Sequence, residues 1–134
     1  MRFWVGARQL QSLDLASGTF TVVPDIPDAV AIHEPADGAL WIASGVGLVR
    51  YDPPTGARET FGHDPEDSGS LSSDATVSMV ADGDSVLWVG TVAGLNRFSL
   101  RTRRAERYTS ANSGLPNNYI NGVLLSETGD VWVS

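Results

Sequence analysis

The two histidines, His33 and His63, are the residues best suited to acid–base or metal chemistry in this sequence. His63 is followed by Asp64, Glu66 and Asp67, and a histidine beside a carboxylate can act as a base or hold a metal ion. A proline interrupts the carboxylates, which do not alternate as the oxygen ligands of a calcium loop do. The pattern favours a solvated acidic loop, so we predict no catalytic residue, no metal site and no cofactor. A Ser-His-Asp triad stays open as an alternative, because only geometry identifies one.

The amino-acid composition of the chain excludes some classes of binding partner. The 134-residue chain is 42% hydrophobic and 19% charged, which is typical of a folded globular protein. Its net charge is −7 and its nine basic residues are all arginines, so no basic stripe is available for a phosphate backbone, and we expect no nucleic-acid partner. The absence of cysteine excludes disulfides and thiolate metal sites. We expect no membrane span and no export signal within this sequence, since no apolar stretch is long enough.

The tryptophans mark an internal repeat. They lie in the short segments "RFWVGA", "ALWIAS", "VLWVGT" and "DVWVS", separated by 37, 47 and 44 residues. The second and third are followed by a Gly-Leu-x-Arg-aromatic segment and then by a further aromatic residue, Phe61 or Tyr108, twenty residues after the tryptophan. A period in the low forties with several short strands per unit is typical of a stacked repeat or a propeller. The four tryptophans are Trp4, Trp41, Trp88 and Trp132.

One repeat, residues 29–61, reads as four antiparallel strands: "AVAIHE", "ALWIAS", "LVRYD" and "ARETF", separated by glycine- and proline-containing turns. Four such strands form one propeller blade. The sequence therefore predicts an all-β fold, a β-propeller of about three four-stranded antiparallel blades that is part of a larger propeller of about seven blades. The predicted units are a partial blade at 1–28, blades at 29–66 and 67–112, and the first two strands of another blade at 113–134.

The tryptophans are predicted to be structural core. Both faces of a blade are covered by neighbouring blades, so its inner strands are almost wholly apolar, as "ALWIA" and "VLWVG" are. A row of tryptophans that stacks on carbohydrate is the alternative, but aromatic residues at fixed positions of short apolar strands favour burial. We therefore expect Trp4, Trp41, Trp88 and Trp132 to lie between successive sheets.

The segment "VSMVADGDSVLWVGTVAGLNRF" resembles the two-component regulator propeller repeat, which runs through Asp-Gly, a tryptophan-centred strand and a Gly-Leu-x-Arg-Tyr/Phe strand. The linkers "FGHDPEDSGSLSSDATVSM" and "YTSANSGLPNNYINGV" are similar to the two common connections between blades of that family. The resemblance covers residues 29–134 well. It is weaker in the first repeat, where "ARQLQSLDL" lacks the Gly-Leu-x-Arg core.

The resemblance implies a non-catalytic, ligand-sensing propeller in the extracytoplasmic input domain of a two-component sensor kinase, located in the periplasm or outside the cell. Such domains frequently detect glycan fragments, which makes an oligosaccharide an expected ligand. The expected partners are the remaining blades of the parent chain or a second copy of this chain, and any membrane contact would come through segments of the parent protein. The alternatives are a propeller enzyme that cleaves glycans or acts as a lyase, and a cell-envelope adaptor.

A ligand is expected to contact the loops that connect the fourth strand of one blade to the first strand of the next, at residues 24–28, 62–75 and 109–118, because rigid sheets position such loops. The candidate binding residues are Asn117, Asn118, Tyr119 and His63. The amides and the aromatic ring suit sugar hydroxyls, although Pro116-Asn117-Asn118 is also ordinary turn sequence. The arginines at 101–107 are expected to form a solvated edge.

Overall fold

The computed structural model describes residues 2–5 and 8–134, and this part of the chain forms thirteen β-strands and no helix. The strands form four antiparallel sheets, which we number I to IV. Sheet I contains β1 (Arg2–Val5), β2 (Gln9–Asp14) and β3 (Thr19–Pro27); sheet II contains β4 (Ala31–His33), β5 (Leu40–Ser44), β6 (Gly47–Tyr51) and β7 (Arg58–Phe61). Sheet III contains β8 (Thr76–Asp82), β9 (Val86–Thr91), β10 (Gly94–Ser99) and β11 (Arg104–Tyr108); sheet IV contains β12 (Val123–Leu125) and β13 (Val131–Val133).

The strands within each sheet pair in chain order, and the first strands β4, β8 and β12 of successive sheets contact one another. This is the arrangement of propeller blades whose first strands line a common axis, and it confirms the predicted fold class. The described residues contain no helix that is long and apolar enough to cross a membrane. One predicted loop is wrong: residues 24–27 continue β3 to Pro27, because a bulge between Gln9 and Leu10 lets the strand extend.

Strand register divides every sheet into two faces. We call the face that carries the tryptophan the front face and the opposite one the back face. In sheet III, the front face carries Trp88 and the pair Leu95 and Tyr108, while Leu87 and Phe98, which pair with each other, lie on the back face. The same alternation in sheet II places Trp41 in front and Ile42 behind.

The core consists of two clusters, each between the front face of one sheet and the back face of the next. The first joins sheets I and II and includes Leu10, Val23, Leu40, Ile42, Val49 and Tyr51. The second joins sheets II and III and includes Trp41, Leu48, Leu71, Leu87, Val89 and Phe98. Stability therefore depends on apolar contact between neighbouring sheets, as in other repeat proteins whose units cannot bury their faces alone.

Trp4 and Trp41 each contact the sheet that follows their own. Trp4 meets Tyr51 of sheet II edge-on, with ring centroids 6.3 Å apart. Trp41 lies 5.6 Å from Phe61 of its own sheet and 5.7 Å from Phe98 of the next, and only 3% of its surface is exposed. Trp88 is half-buried, and Trp132 is 63% exposed in the described residues, where no sheet covers the front of sheet IV, so the assignment of all four tryptophans to the core stays a prediction.

The glycine that opens each Gly-Leu-x-Arg strand is required by geometry. Gly47 and Gly94 have φ angles of 104° and 139°, a region that side chains disfavour. A Cβ atom on Gly47 would lie 2.5 Å from the carbonyl oxygen of Phe61, and one on Gly94 would lie 2.8 Å from that of Tyr108. Glycine therefore lets the third strand start directly beside the end of the fourth.

Trp41→Ala should lower the free energy of unfolding by about 3–5 kcal/mol, because the substitution removes a buried indole and leaves a cavity. Trp132→Ala is the matched control and should cost less than about 1 kcal/mol, since that indole is mostly in solvent. Urea unfolding followed by circular dichroism measures both. Equal losses for the two variants would contradict the proposed packing.

Candidate functional site

The linkers between sheets lie at one edge of the stack, beside the turns that join second to third strands. Thr76 Oγ1 donates a hydrogen bond to the carbonyl of Ser44 (2.7 Å), and the Ile120 amide donates to the carbonyl of Thr91 (3.0 Å). Each linker is thus anchored to the end of the second strand of the preceding sheet. We call this edge, made of residues 62–75, 109–122 and the turns at 45–46 and 92–93, the linker face.

The 62–75 linker is an internally bonded loop. The Nδ1 atom of His63 lies 2.7 Å from the carbonyl oxygen of Leu71, and the His63 amide donates to Asp74 Oδ1 at 2.6 Å. Leu71 is buried in the second core cluster, which pins the loop to sheet III. His63 therefore holds the loop together through one ring nitrogen and through its backbone, leaving Nε2 as the atom available to a ligand.

Two arginines of β11 fasten this linker. Arg104 forms a bidentate pair with Asp67, at 2.7 and 2.6 Å. Arg107, which is half-buried, donates to the carbonyl of Ser70 (2.8 Å), to its Oγ (2.7 Å) and to the carbonyl of Asp67 (2.9 Å). The prediction that the arginines at 101–107 form a solvated edge is wrong for Arg107. Side chains alternate between the two faces along β11, and this places Arg107 on the back face of sheet III, against the linker.

The Arg104 guanidinium and the Gly69 amide hold the pKa of the Asp67 carboxyl below its ordinary value of 3.8, since both stabilise the ionised form. The same hydrogen-bonded pair raises the pKa of Arg104, so both groups are charged at neutral pH. Asp67 is thereby assigned to structure rather than to acid–base chemistry.

A buried polar network, which the sequence did not reveal, lies where the linker enters sheet III. Asn96, with no exposed surface, accepts a hydrogen bond from the Ser72 amide (2.9 Å) and donates to Ser72 Oγ (2.9 Å) and to the Val89 carbonyl (3.2 Å). Ser72 Oγ lies 2.8 Å from Thr91 Oγ1. One feature of the sequence could have indicated this network: Asn96 is a polar residue at the strand position that Val49 occupies in the preceding repeat.

Arg103 joins the outer edges of sheets II and III. It lies in the turn before β11 with φ at 60°, and its guanidinium stands 5.3 Å from the ring centre of Trp41 and 5.6 Å from that of Phe61. A hydrogen bond of 2.8 Å to Glu59 fixes its position. The cation lies over the rings of buried Trp41 and half-buried Phe61, so this arginine also has a structural role.

The 109–122 linker presents the other candidate binding residues. The side-chain oxygens of Asn117 and Asn118 accept hydrogen bonds from the amides of Tyr119 (3.0 Å) and Ser110 (2.7 Å). Their Nδ2 groups have no acceptor among the described residues. Tyr119 is 49% exposed, while its neighbour Ile120 is buried. The linker thus holds an exposed tyrosine ring and an exposed Asn117 beside the half-buried Asn118.

The structure does not bring all four predicted binding residues together. Asn117, Asn118 and Tyr119 are consecutive in one linker, whereas His63 lies in another, and among the described residues no hydrogen bond or ring contact joins the two groups. Two further polar atoms, Nε2 of His33 on β4 and Oγ of Ser78 on β8, are buried without a hydrogen-bond partner. Residues 2–5 and 8–134 contain no cluster of side chains that could hold a metal ion.

No family model and no curated protein matches the chain. Solved structures do match the chain. The extracellular domain of a hybrid two-component system from B. thetaiotaomicron superposes with a TM-score of 0.84 at 19% identity, covering 98% of this chain and 20% of that one. A second such domain from the same organism gives 0.79 at 20% identity, covering 98% and 17%.

Virginiamycin B lyase from Staphylococcus aureus gives a TM-score of 0.69 at 16% identity, covering 99% of this chain and 45% of the lyase. At these identities the likeness establishes the fold, and it agrees with the resemblance to the two-component regulator propeller repeat. The chain spans about a fifth of the length of the first of these structures.

Arg107→Ala should free the 62–75 linker, because four hydrogen bonds from one charged group are lost. We expect amide hydrogen exchange at residues 64–70 to accelerate at least tenfold, equivalent to about 1.4 kcal/mol, within the range for hydrogen bonds to charged groups. Arg101→Ala is the control, since Arg101 is exposed in the preceding turn and should leave exchange unchanged. Unchanged exchange in Arg107→Ala would refute the fastening role.

The Asp67 carboxyl has a lower pKa in the folded chain, so its contribution to stability is present above the unfolded value of 3.8 and is lost as the pH falls through the folded value. The melting temperature of the wild type should therefore fall more steeply below pH 4 than that of Asp67→Asn. Glu66→Gln, a change at an exposed neighbour, should keep the wild-type slope. Parallel curves for the wild type and Asp67→Asn would contradict the assignment.

Proposed function

We propose that residues 1–134 form a sector of the ligand-sensing propeller of an extracytoplasmic two-component sensor, and that the sector binds without catalysing a reaction. The observation that carries this proposal is the near-complete superposition on the extracellular domains of hybrid two-component systems. The other blades of the parent propeller are its partners, and the periplasm or the cell exterior is its location.

We further propose an oligosaccharide as the ligand and the linker face as its site. Tyr119 offers an exposed aromatic ring on which a sugar ring can stack, and the adjacent Nδ2 groups of Asn117 and Asn118 can donate to hydroxyls. The 109–122 linker contains no charged residue, which favours a neutral glycan over an acidic one. His63 Nε2 would bind a more distant part of the same ligand.

The catalytic alternative draws on the likeness to virginiamycin B lyase. Against it, the described residues contain no metal-binding cluster, and His63 is committed to the loop through Nδ1. His33 is the strongest remaining candidate for a base, because its Nε2 has no partner. A lyase or glycan-cleaving activity that His33→Ala abolishes would support an enzyme.

A glycan array probed with the purified chain should give hits among neutral oligosaccharides, and Tyr119→Ala should weaken binding to them at least tenfold, about 1.4 kcal/mol, because the stacking surface is lost. Phe20→Ala, which removes an exposed aromatic ring from sheet I, is the matched control and should bind as the wild type does. An array without hits, or equal weakening by both substitutions, would refute this site.

A further inference from the structure

The side chain of Asn121 is less restrained than those of the other four asparagines in the chain. Asn96 is buried and hydrogen-bonded, and the Asn112 side chain bonds to two backbone groups, at 2.8 and 2.9 Å. The side-chain oxygens of Asn117 and Asn118 each accept a hydrogen bond from a backbone amide. Asn121 is exposed, and its side chain makes no hydrogen bond within residues 2–5 and 8–134. Its carboxamide is therefore free to turn toward the backbone.

Asn121 is followed by Gly122, whereas each of the other four asparagines precedes a residue with a side chain. A glycine has no Cβ atom to shield its amide nitrogen, and its backbone changes conformation readily. Asparagine is one of the thermolabile residues of proteins. The carbon of its carboxamide is an electrophile, and the nearest nucleophile is the amide nitrogen of the next residue. The dipeptide at 121–122 thus combines a free electrophile with an accessible nucleophile.

The backbone hydrogen bonds at this dipeptide leave the nucleophile weakly held. The Asn121 amide donates to the Ser134 carbonyl at 2.6 Å, whereas the Gly122 amide donates to the same oxygen at 3.4 Å. Good N–H···O bonds are no longer than about 3.2 Å, so the second bond is weak. The dipeptide also lies just before β12, which begins at Val123. The Gly122 nitrogen is therefore not locked into the pairing of a strand.

We propose that Asn121 is a site of spontaneous deamidation. The Gly122 amide nitrogen gives its proton to hydroxide and attacks Cγ of Asn121. The new bond between Cγ and nitrogen closes a succinimide ring, the bond from Cγ to Nδ2 breaks, and ammonia leaves with a proton taken from water. Water then adds to either ring carbonyl, and the ring opens to aspartate or to isoaspartate at position 121. This modification goes beyond the proposed function and does not depend on it.

Both products change the 109–122 linker. Each places a negative charge in a segment that contains no charged residue. Isoaspartate also adds a carbon atom to the backbone between Ile120, which is buried, and β12. Because the carbonyl of Ser134 accepts from the amides of both Asn121 and Gly122, the longer backbone no longer matches this pairing. The reaction therefore alters the charge of the linker and its junction with sheet IV.

The two Asp-Gly turns, at 37–38 and 82–83, are less reactive sites of the same ring closure. Asp37 Oδ1 accepts a hydrogen bond from the Ala39 amide (3.0 Å), and Asp82 Oδ2 accepts one from Nε1 of Trp88 (3.3 Å). These bonds hold the carboxylates in place, and a carboxylate is a poorer electrophile than a carboxamide. Isomerisation of an aspartate also leaves the mass unchanged, so a gain in mass reports an asparagine.

The test is incubation of the folded chain at mildly alkaline pH, followed by digestion at acidic pH and peptide mapping by mass spectrometry. We expect the mass gain that accompanies replacement of the carboxamide NH2 by OH to accumulate at Asn121 at least tenfold faster than at any other asparagine. Gly122→Ala is the matched control and should slow the reaction at least tenfold, because a methyl group then shields the nitrogen. The variant should fold, since the added Cβ would meet only Oγ of Ser134, at 3.3 Å.

Two results would overturn the proposal. One is a rate at Asn121 that equals the rates at the other four asparagines or is unchanged in Gly122→Ala. The other comes from the same incubation in concentrated urea, which removes all restraint by the fold. We expect the rate at Asn121 in the folded chain to stay within tenfold of the rate in urea. A larger protection by the fold would show that the bonds to Ser134 lock the dipeptide and that the site is inert.

Discussion

The constraint on which this structure depends is that no sheet can cover its own faces. Each sheet carries a tryptophan on its front face, and in sheets I and II the back face of the next sheet packs against it. Trp4 and Trp41 show the result, an indole held against aromatic and aliphatic side chains of the following sheet. The contact runs in one direction along the chain, and Trp132 of sheet IV, whose front no described sheet covers, is mostly exposed.

The linker face follows from the same arrangement. The sheets fix the ends of the linkers, and each linker contributes a buried apolar side chain, such as Leu71 or Ile120. Arg104 pairs with Asp67 of the acidic 62–75 linker and Arg107 donates to its backbone, so both arginines have a structural role. The 109–122 linker is held through asparagine side-chain oxygens, which leaves the Nδ2 groups of Asn117 and Asn118 without an acceptor among the described residues, beside the exposed ring of Tyr119. This difference between the two linkers is the reason that we propose the second one as the ligand site.

The fold was predictable because the repeat contains residue types with strong physical requirements. They are a tryptophan in an apolar strand, a glycine where a Cβ atom would clash with the backbone of Phe61 or Tyr108, and a turn after Asp37. The candidate site was less predictable. The partners of Asp67 and Asn96 lie more than twenty residues away along the chain, and only the register of β10 and β11 brings them together. The exposure of Trp132 could not be read from its repeat position, which predicts burial, because burial depends on a neighbouring sheet.

The most direct test of the central claim is a nuclear Overhauser measurement on the indole protons of Trp41 and Trp132 in the folded chain. We expect Trp41 to show contacts with Phe98 and with the methyl groups of Leu71, both from beyond its own sheet, and Trp132 to show contacts only within sheet IV. Contacts from Trp41 confined to sheet II, with the same solvent accessibility as Trp132, would contradict the account.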